Sequence, residues 1–274
     1  MKRLSMKKIN LPLVAGTLWL LLTCALAHAQ SDDLRRSLFK DADAALNTAK
    51  EQEAIIYAPG TFAAGMNAYQ KAEAEFQKGE EIKDIQEKIA AASASFAQSV
   101  ELAQRSKAFF SSVITARQAA IQAEAGQNAA AIWQDAETRL GDAIKALESA
   151  DDSSARAKGV QAETAYREAE LDSIKLQCLG EARALLQKAE EAGVGKNAPL
   201  TLDKSAQILQ KAEKTLEENR LNTAAARKLA AQAQAETSNA MALSQKISRL
   251  TAEKKSLEEI LLEAETATAN RNLK

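Results

Sequence analysis

Side chains able to do chemistry are few in this sequence. There is one histidine, His28, and there are two cysteines, Cys24 and Cys178, in 274 residues that carry 36 basic and 37 acidic side chains. Histidine is the usual general base and metal ligand near neutral pH, and paired cysteines hold zinc or close disulfides. Here the histidine and one cysteine sit in the first 29 residues, apart from everything else. Cys178 falls on a helical stripe of Leu171, Ile174, Cys178, Ala182, Leu185 and Ala189, the setting of a small core residue. A reactive thiol needs an exposed cationic setting, which flanking Lys175 and Arg183 do not compel. Glu73, Glu75, Glu80 and Glu81 could form an acid/base pair, but charge on the outer face of a helix normally serves solvation. No Gly-x-Ser-x-Gly elbow, phosphate-cradling glycine loop or cysteine pair occurs. The reading is a protein that is not an enzyme, with no catalytic residues, metal site or cofactor.

The elements that would position any site come in three copies of one stretch. Ala58-Pro59-Gly60-Thr61-Phe62, Ala129-Ala130-Ala131-Ile132-Trp133 and Ala198-Pro199-Leu200-Thr201-Leu202 align at offsets of 71 and 69 residues. Without a gap, Tyr69, Leu140 and Leu209 then share a column, as do Ala72, Ala143 and Ala212, and Phe76, Leu147 and Leu216. Steps of seven, three and four keep one face of a 3.6-residue helix in line, and proline is tolerated in a first helical turn. Each copy therefore opens a helix, and its column explains Trp133 as a packing residue. Phe109 and Phe110 are adjacent and cannot share a face, so one ring is expected at a joint between bundles or in solvent.

Alanine dominates the 46% apolar share, aromatics are only 4%, and no β-branched run of period two appears. The expected fold class is all-α, with three tandem repeats of about seventy residues. Helices of about 20 residues alternate with helices about twice as long, and one short neighbour cannot cover a long helix. This predicts three short three-helix bundles, 31–103, 104–174 and 175–242, joined by long continuous helices, with a C-terminal extension over 243–274. A solenoid of helical hairpins, bent near Gly159 and Gly180, is the alternative. In detail, a first helix from Ser31 to about Ala54 would bury Leu34, Leu38, Ala42, Ala45 and Ala49. Gly79 would end the first copy's helix, and one helix of about 43 residues would run from Lys83 to Ala125 with Gly126 as its cap. Asp151-Asp152-Ser153-Ser154 reads as a turn and N-cap, and Gly193-Val194-Gly195 as a stop. The last helix is expected from Thr223 to about Thr268.

The first 29 residues read as a secretory signal. Lys2, Arg3, Lys7 and Lys8 precede an acid-free apolar run from Leu11 to Ala27, and Ala27-His28-Ala29 provides a small-x-small cleavage site before Gln30. The alternatives are an uncleaved anchor and a lipoprotein acylated at Cys24, although Thr23 fits poorly before such a cysteine. Cleavage would remove four basic residues and leave a formal charge of −5. That gives no electrostatic case for binding nucleic acid or an anionic membrane surface. A membrane association is expected only through lipid on Cys24.

Ala-Pro followed three residues on by an apolar side chain, spaced alanines and an Ala-rich helix such as 224–242 resembles a helical domain of unknown function in exported bacterial envelope proteins. In some of those proteins the domain precedes an OmpA-like peptidoglycan-binding domain. The resemblance covers most of the chain after the signal; the second copy lacks the proline. No OmpA-like domain is recognisable in this sequence, so the cell-wall role of that domain does not carry over.

Composition and resemblance together imply a periplasmic or secreted envelope scaffold or spacer that presents helix faces to protein partners. A carrier of lipid or another amphipathic ligand is the competing reading. Narrow alanine stripes favour the scaffold, because interfacial helices present wide Leu, Phe and Trp faces. The expected partner surface is the C-terminal helix, where Leu243, Ile247, Leu250, Leu257 and Leu261, interrupted by Lys254, keep coiled-coil spacing. It would pair two chains, dock on another envelope protein, or fold back over its own bundle.

Overall fold

The computed structural model describes residues 32–253, 255–256, 258–262 and 265–266. Residues 1–31, Cys24 and His28 among them, lie outside these, as do Lys254 and Leu257. Among the described residues the fold is all-α, without a strand. The helices are α1 (32–51), α2 (Ala54–Tyr57), α3 (Pro59–Lys78), α4 (Ile82–Phe109), α5 (Ser111–Gln122), α6 (Ala125–Asn128), α7 (Ala130–Glu148), α8 (Asp152–Glu191), α9 (Pro199–Glu218) and α10 (Thr223–Ala252). A 3₁₀ turn at Val194–Lys196 precedes α9.

The three stretches that share a sequence pattern also share a local backbone. A left-handed residue, Glu53, Glu124 or Gly193, ends the incoming helix; a single helical turn follows. Then an alanine, Ala58, Ala129 or Ala198, takes φ of −151°, −135° or −132°, and the next helix begins. Proline stands first in α3 and α9, where its missing N–H costs nothing.

Helix contacts group the chain into two compact units, one of residues up to Ser111 with Arg139–Gly159, the other of Ser112–Thr138 with Val160 onward. In the first unit α1, α3 and α4 surround an aromatic core. Phe39 meets Tyr69 and Phe76 edge-on at centroid distances of 5.5 and 6.0 Å, and Phe96 lies 5.7 Å from Phe62 and 6.4 Å from Tyr69. Gly65 lets α3 approach α4, since a Cβ there would stand 2.8 Å from the Phe96 ring. The second unit is built on smaller side chains. Leu209, Ala212 and Leu216 of α9 pack with Cys178, Leu179 and Ala182 of α8 and with Ala226, Ala230 and Ala233 of α10. Beside this core Ser205 donates to the Ala233 carbonyl and shares a hydrogen bond with Thr237, both fully buried.

Several expectations are corrected. α1 buries Phe39, Ala42, Leu46 and Ala49, while Leu34 is 45% exposed: the core-facing stripe includes the aromatic ring and leaves Leu34 outside. It also stops at residue 51, before the single turn of α2. The helix expected over 83–125 breaks at Phe110, whose φ of −103° and ψ of 27° interrupt it. The break falls where two large rings are adjacent: Phe110 turns into the core at 2% exposure, and Phe109 stays at the flank beneath the Arg156 guanidinium. Gly126 is not a cap. Glu124 takes the left-handed position and Gly126 lies inside α6, because the corner geometry places that conformation two residues earlier. α10 ends at Ala252 rather than near 268. Ser256 starts a new helical segment over 258–262: its N–H donates to Glu259, whose own N–H donates to the Ser256 hydroxyl. This reciprocal pair is a capping box, a local signal that competes with continuation of α10.

Gly79, the Asp151 cap and the Gly193 stop stand as expected; Asp151 accepts the Ser154 N–H at 2.9 Å. α8 runs unbroken through Gly159 and Gly180.

Candidate functional site

The expected partner surface is only partly presented. Leu243 is 41% exposed and Ile247 half-buried, but Leu250 is buried at 7%. Leu261 is 63% exposed and belongs to the segment that follows the break, so α10 does not carry the stripe as one continuous helix. Lys254 and Leu257 lie outside the described residues. Leu200 and Leu221, at 85% and 80%, are the most exposed large apolar side chains among the described residues, and neither belongs to that stripe.

The polar clusters are interhelical links. In the first unit Arg35 of α1 donates to Glu73, Asp43 and the Tyr69 hydroxyl, and Tyr69 donates to Asp43. Burial, reinforced by this bond to Asp43, pushes the Tyr69 phenol up to about 12. A depression of about 330 Å³ beside the cluster is lined by Asp32, Arg35, Glu73, Phe76 and Gln77. Its one arginine is already bound to carboxylates, so it offers no free cation to an anionic ligand. In the second unit Arg117 and Tyr166 both donate to Glu137, and Trp133 stands edge-on to Tyr166 at 5.3 Å. Desolvation raises the Tyr166 phenol, with the Glu137 carboxylate adding to the shift. Arg183 holds Glu213, Arg220 holds Glu170, and Lys175, by hydrogen bonding, keeps the Glu217 carboxyl below the usual range.

Two further devices escaped the sequence reading. Glu148, at the end of α7, accepts the N–H groups of Gly60 and Thr61 and the Thr61 hydroxyl, each at 3.1 Å. It caps α3 from 87 residues away, where Ala58 has no side chain to do so. Asn128 and Asn197, each just before a corner alanine, reach the following long helix: Asn128 donates to Ser173 at 2.9 Å, and Asn197 to Ser248 at 2.8 Å. An asparagine before the alanine in two of the three copies was the available signal.

Cys178 is a buried free thiol, in keeping with a packing role. Among the described residues no group of three His, Cys, Asp or Glu side chains could hold a metal ion, and no helix is long and apolar enough to cross a membrane. Comparison with known protein families, with curated proteins and with solved structures finds no match.

Proposed function

We propose that this protein is a non-enzymatic scaffold or spacer of the cell envelope, exported by its N-terminal signal and presenting helix faces to protein partners. One observation carries the reading: the part-buried polar clusters bridge one helix to another. Arg35 with Asp43, Tyr69 and Glu73, Arg117 with Glu137 and Tyr166, and Glu148 with the start of α3 lock helices together. Such links favour a fixed spacing of helices over a chamber that opens around a ligand. Partners then meet the outside of the helices, with Leu243 and the segment that carries Leu261 as the apolar part of that surface.

The test combines mass, flotation and crosslinking on protein recovered from the producing cell. A product beginning at Gln30, unbound by phosphatidylglycerol vesicles and crosslinked to a defined envelope protein, is the expected result. Acyl chains on Cys24 would replace a soluble spacer with a lipoprotein. Stoichiometric flotation of protein lacking acyl chains would instead establish the lipid carrier.

A further inference from the structure

Three basic residues occupy one position of the long helices. Buried Ile85, Phe96 and Ala103 of α4 coincide, at an offset of 70, with buried Ala155, Tyr166 and Ser173 of α8. At an offset of 141 they coincide with Ala226, Thr237 and Ser244 of α10. The same offsets place Arg105, Lys175 and Lys246 in one column. The first two each pair with a carboxylate beside the turn between two helices that follow. Arg105 meets Asp152, at the α7–α8 turn, at 2.8 Å, and Lys175 meets Glu217, in the last turn of α9, at 2.7 Å. Lys246 is exposed and has no ion-pair partner among the described residues.

The complementary surface lies at the α3–α4 turn. That turn rests on left-handed Gly79 as the α7–α8 turn rests on left-handed Ala150, and it carries Glu80 and Glu81 where the latter carries Asp151 and Asp152. Both glutamates are exposed and without an ion-pair partner among the described residues. Each patch also has an apolar neighbour: Leu243, 41% exposed, stands one turn before Lys246, and Ile82, 51% exposed, follows Glu81.

We infer that the Lys246 face of α10 docks on the Glu80–Glu81 turn of a second copy of this chain, repeating between molecules the contact that Arg105 and Lys175 make within one. The two patches differ, so the contact is heterologous and adds copies head to tail unless the geometry closes a ring. It needs neither export nor an envelope partner, and its failure would leave the scaffold reading standing.

The experiment is sedimentation of the protein recovered from the producing cell, across concentration, at about 20 and about 500 mM salt, since exposed ion pairs weaken when screened. Wild-type protein self-associates at low salt, and high salt reverses it. Lys246→Glu alone, and Glu80→Lys with Glu81→Lys, each set like charges opposite one another and weaken association about tenfold. An equimolar mixture of the two variants restores opposite charges at every contact and recovers the wild-type distribution. Circular dichroism verifies that the exposed substitutions leave the helices intact, and Lys246→Ala, expected to weaken association less, replaces any variant that does not fold. A wild-type monomer under all conditions, variants that associate like wild type, or a mixture that does not recover association overturns the proposal.

Discussion

Replacing Gly65 by alanine sets two known effects against each other. In a helix interior the change gains about 1 kcal/mol, because glycine loses more backbone freedom on folding. At Gly65, however, the new Cβ would stand 2.8 Å from Cδ1 and Cε1 of Phe96 and 3.3 Å from its Cγ. Carbon contacts are comfortable from about 3.5 Å, so the ring or the helix must move by about 0.7 Å. Phe96 is fully buried between Phe62 and Tyr69, which leaves the ring nowhere to swing. Overpacking of this kind costs about 1–3 kcal/mol. The overlap therefore wins, and Gly65→Ala destabilises by about 1 kcal/mol net. Gly141, inside α7, is the control: a Cβ there meets nothing within 4 Å, so Gly141→Ala stabilises by about 0.5–1 kcal/mol. Thermal unfolding followed by circular dichroism should separate the two variants by at least about 4 °C, with wild type between them. Phe96→Leu in the Gly65→Ala background recovers part of the loss. If Gly65→Ala raises the melting temperature as Gly141→Ala does, the close approach of α3 to α4 is wrong.

Other perturbations probe the remaining parts of the fold. Leu209 is buried at 6% in the core of the second unit, so Leu209→Asp should lower the melting temperature clearly, whereas exposed Lys211→Asp should change stability by no more than about 0.5 kcal/mol; equal effects would mean that α9 presents another face. Glu148→Ala removes a cap worth about 1 kcal/mol and should speed amide exchange at Gly60 and Thr61; unchanged exchange there would refute the long-range cap. The Tyr69 phenol, raised from 10.0 to about 12, keeps its proton in the fold after the unfolded chain has lost it. The folded state then binds more protons between those pH values, so this contribution to stability, complete below pH 10, is lost as pH rises toward 12. Tyr69→Phe should flatten that part of the stability profile and remove a late phenolate signal from the ultraviolet titration; a wild-type protein whose tyrosines all ionise near pH 10 would contradict the network.

Local chemistry was enough for the all-α class and for most helix starts and stops. Proline at the first position of α3 and α9, left-handed Gly79 and Gly193, and the Asp151 cap act within a few residues of themselves, so their meaning travels with the sequence. The packing reading of Cys178 was legible for a similar reason, since a helical stripe is a property of spacing. The surface marked by Leu243, Ile247, Leu250 and Leu261 was legible as a pattern but not as an arrangement. The same spacing suits a continuous seam and a helix that stops at Ala252, and the capping box at Ser256 and Glu259 is as local a signal as the stripe it interrupts.

What tertiary structure decided was every choice between locally similar options. Alternative faces of α1 could be drawn from its sequence; the aromatic partners Tyr69 and Phe76 settle the choice by receiving Phe39, and Leu34 remains outside. A left-handed residue is easiest for glycine, yet the corner after α5 places that conformation on Glu124, two residues before the glycine that local preference would choose. Phe110 interrupts a helix that its sequence would continue, with its own ring turned into the core. Glu148 looks like any other charged residue at a helix end until folding brings α3 to it. Spacing along one helix can be read from one helix; a partner supplied from 87 residues away exists only once the chain has folded.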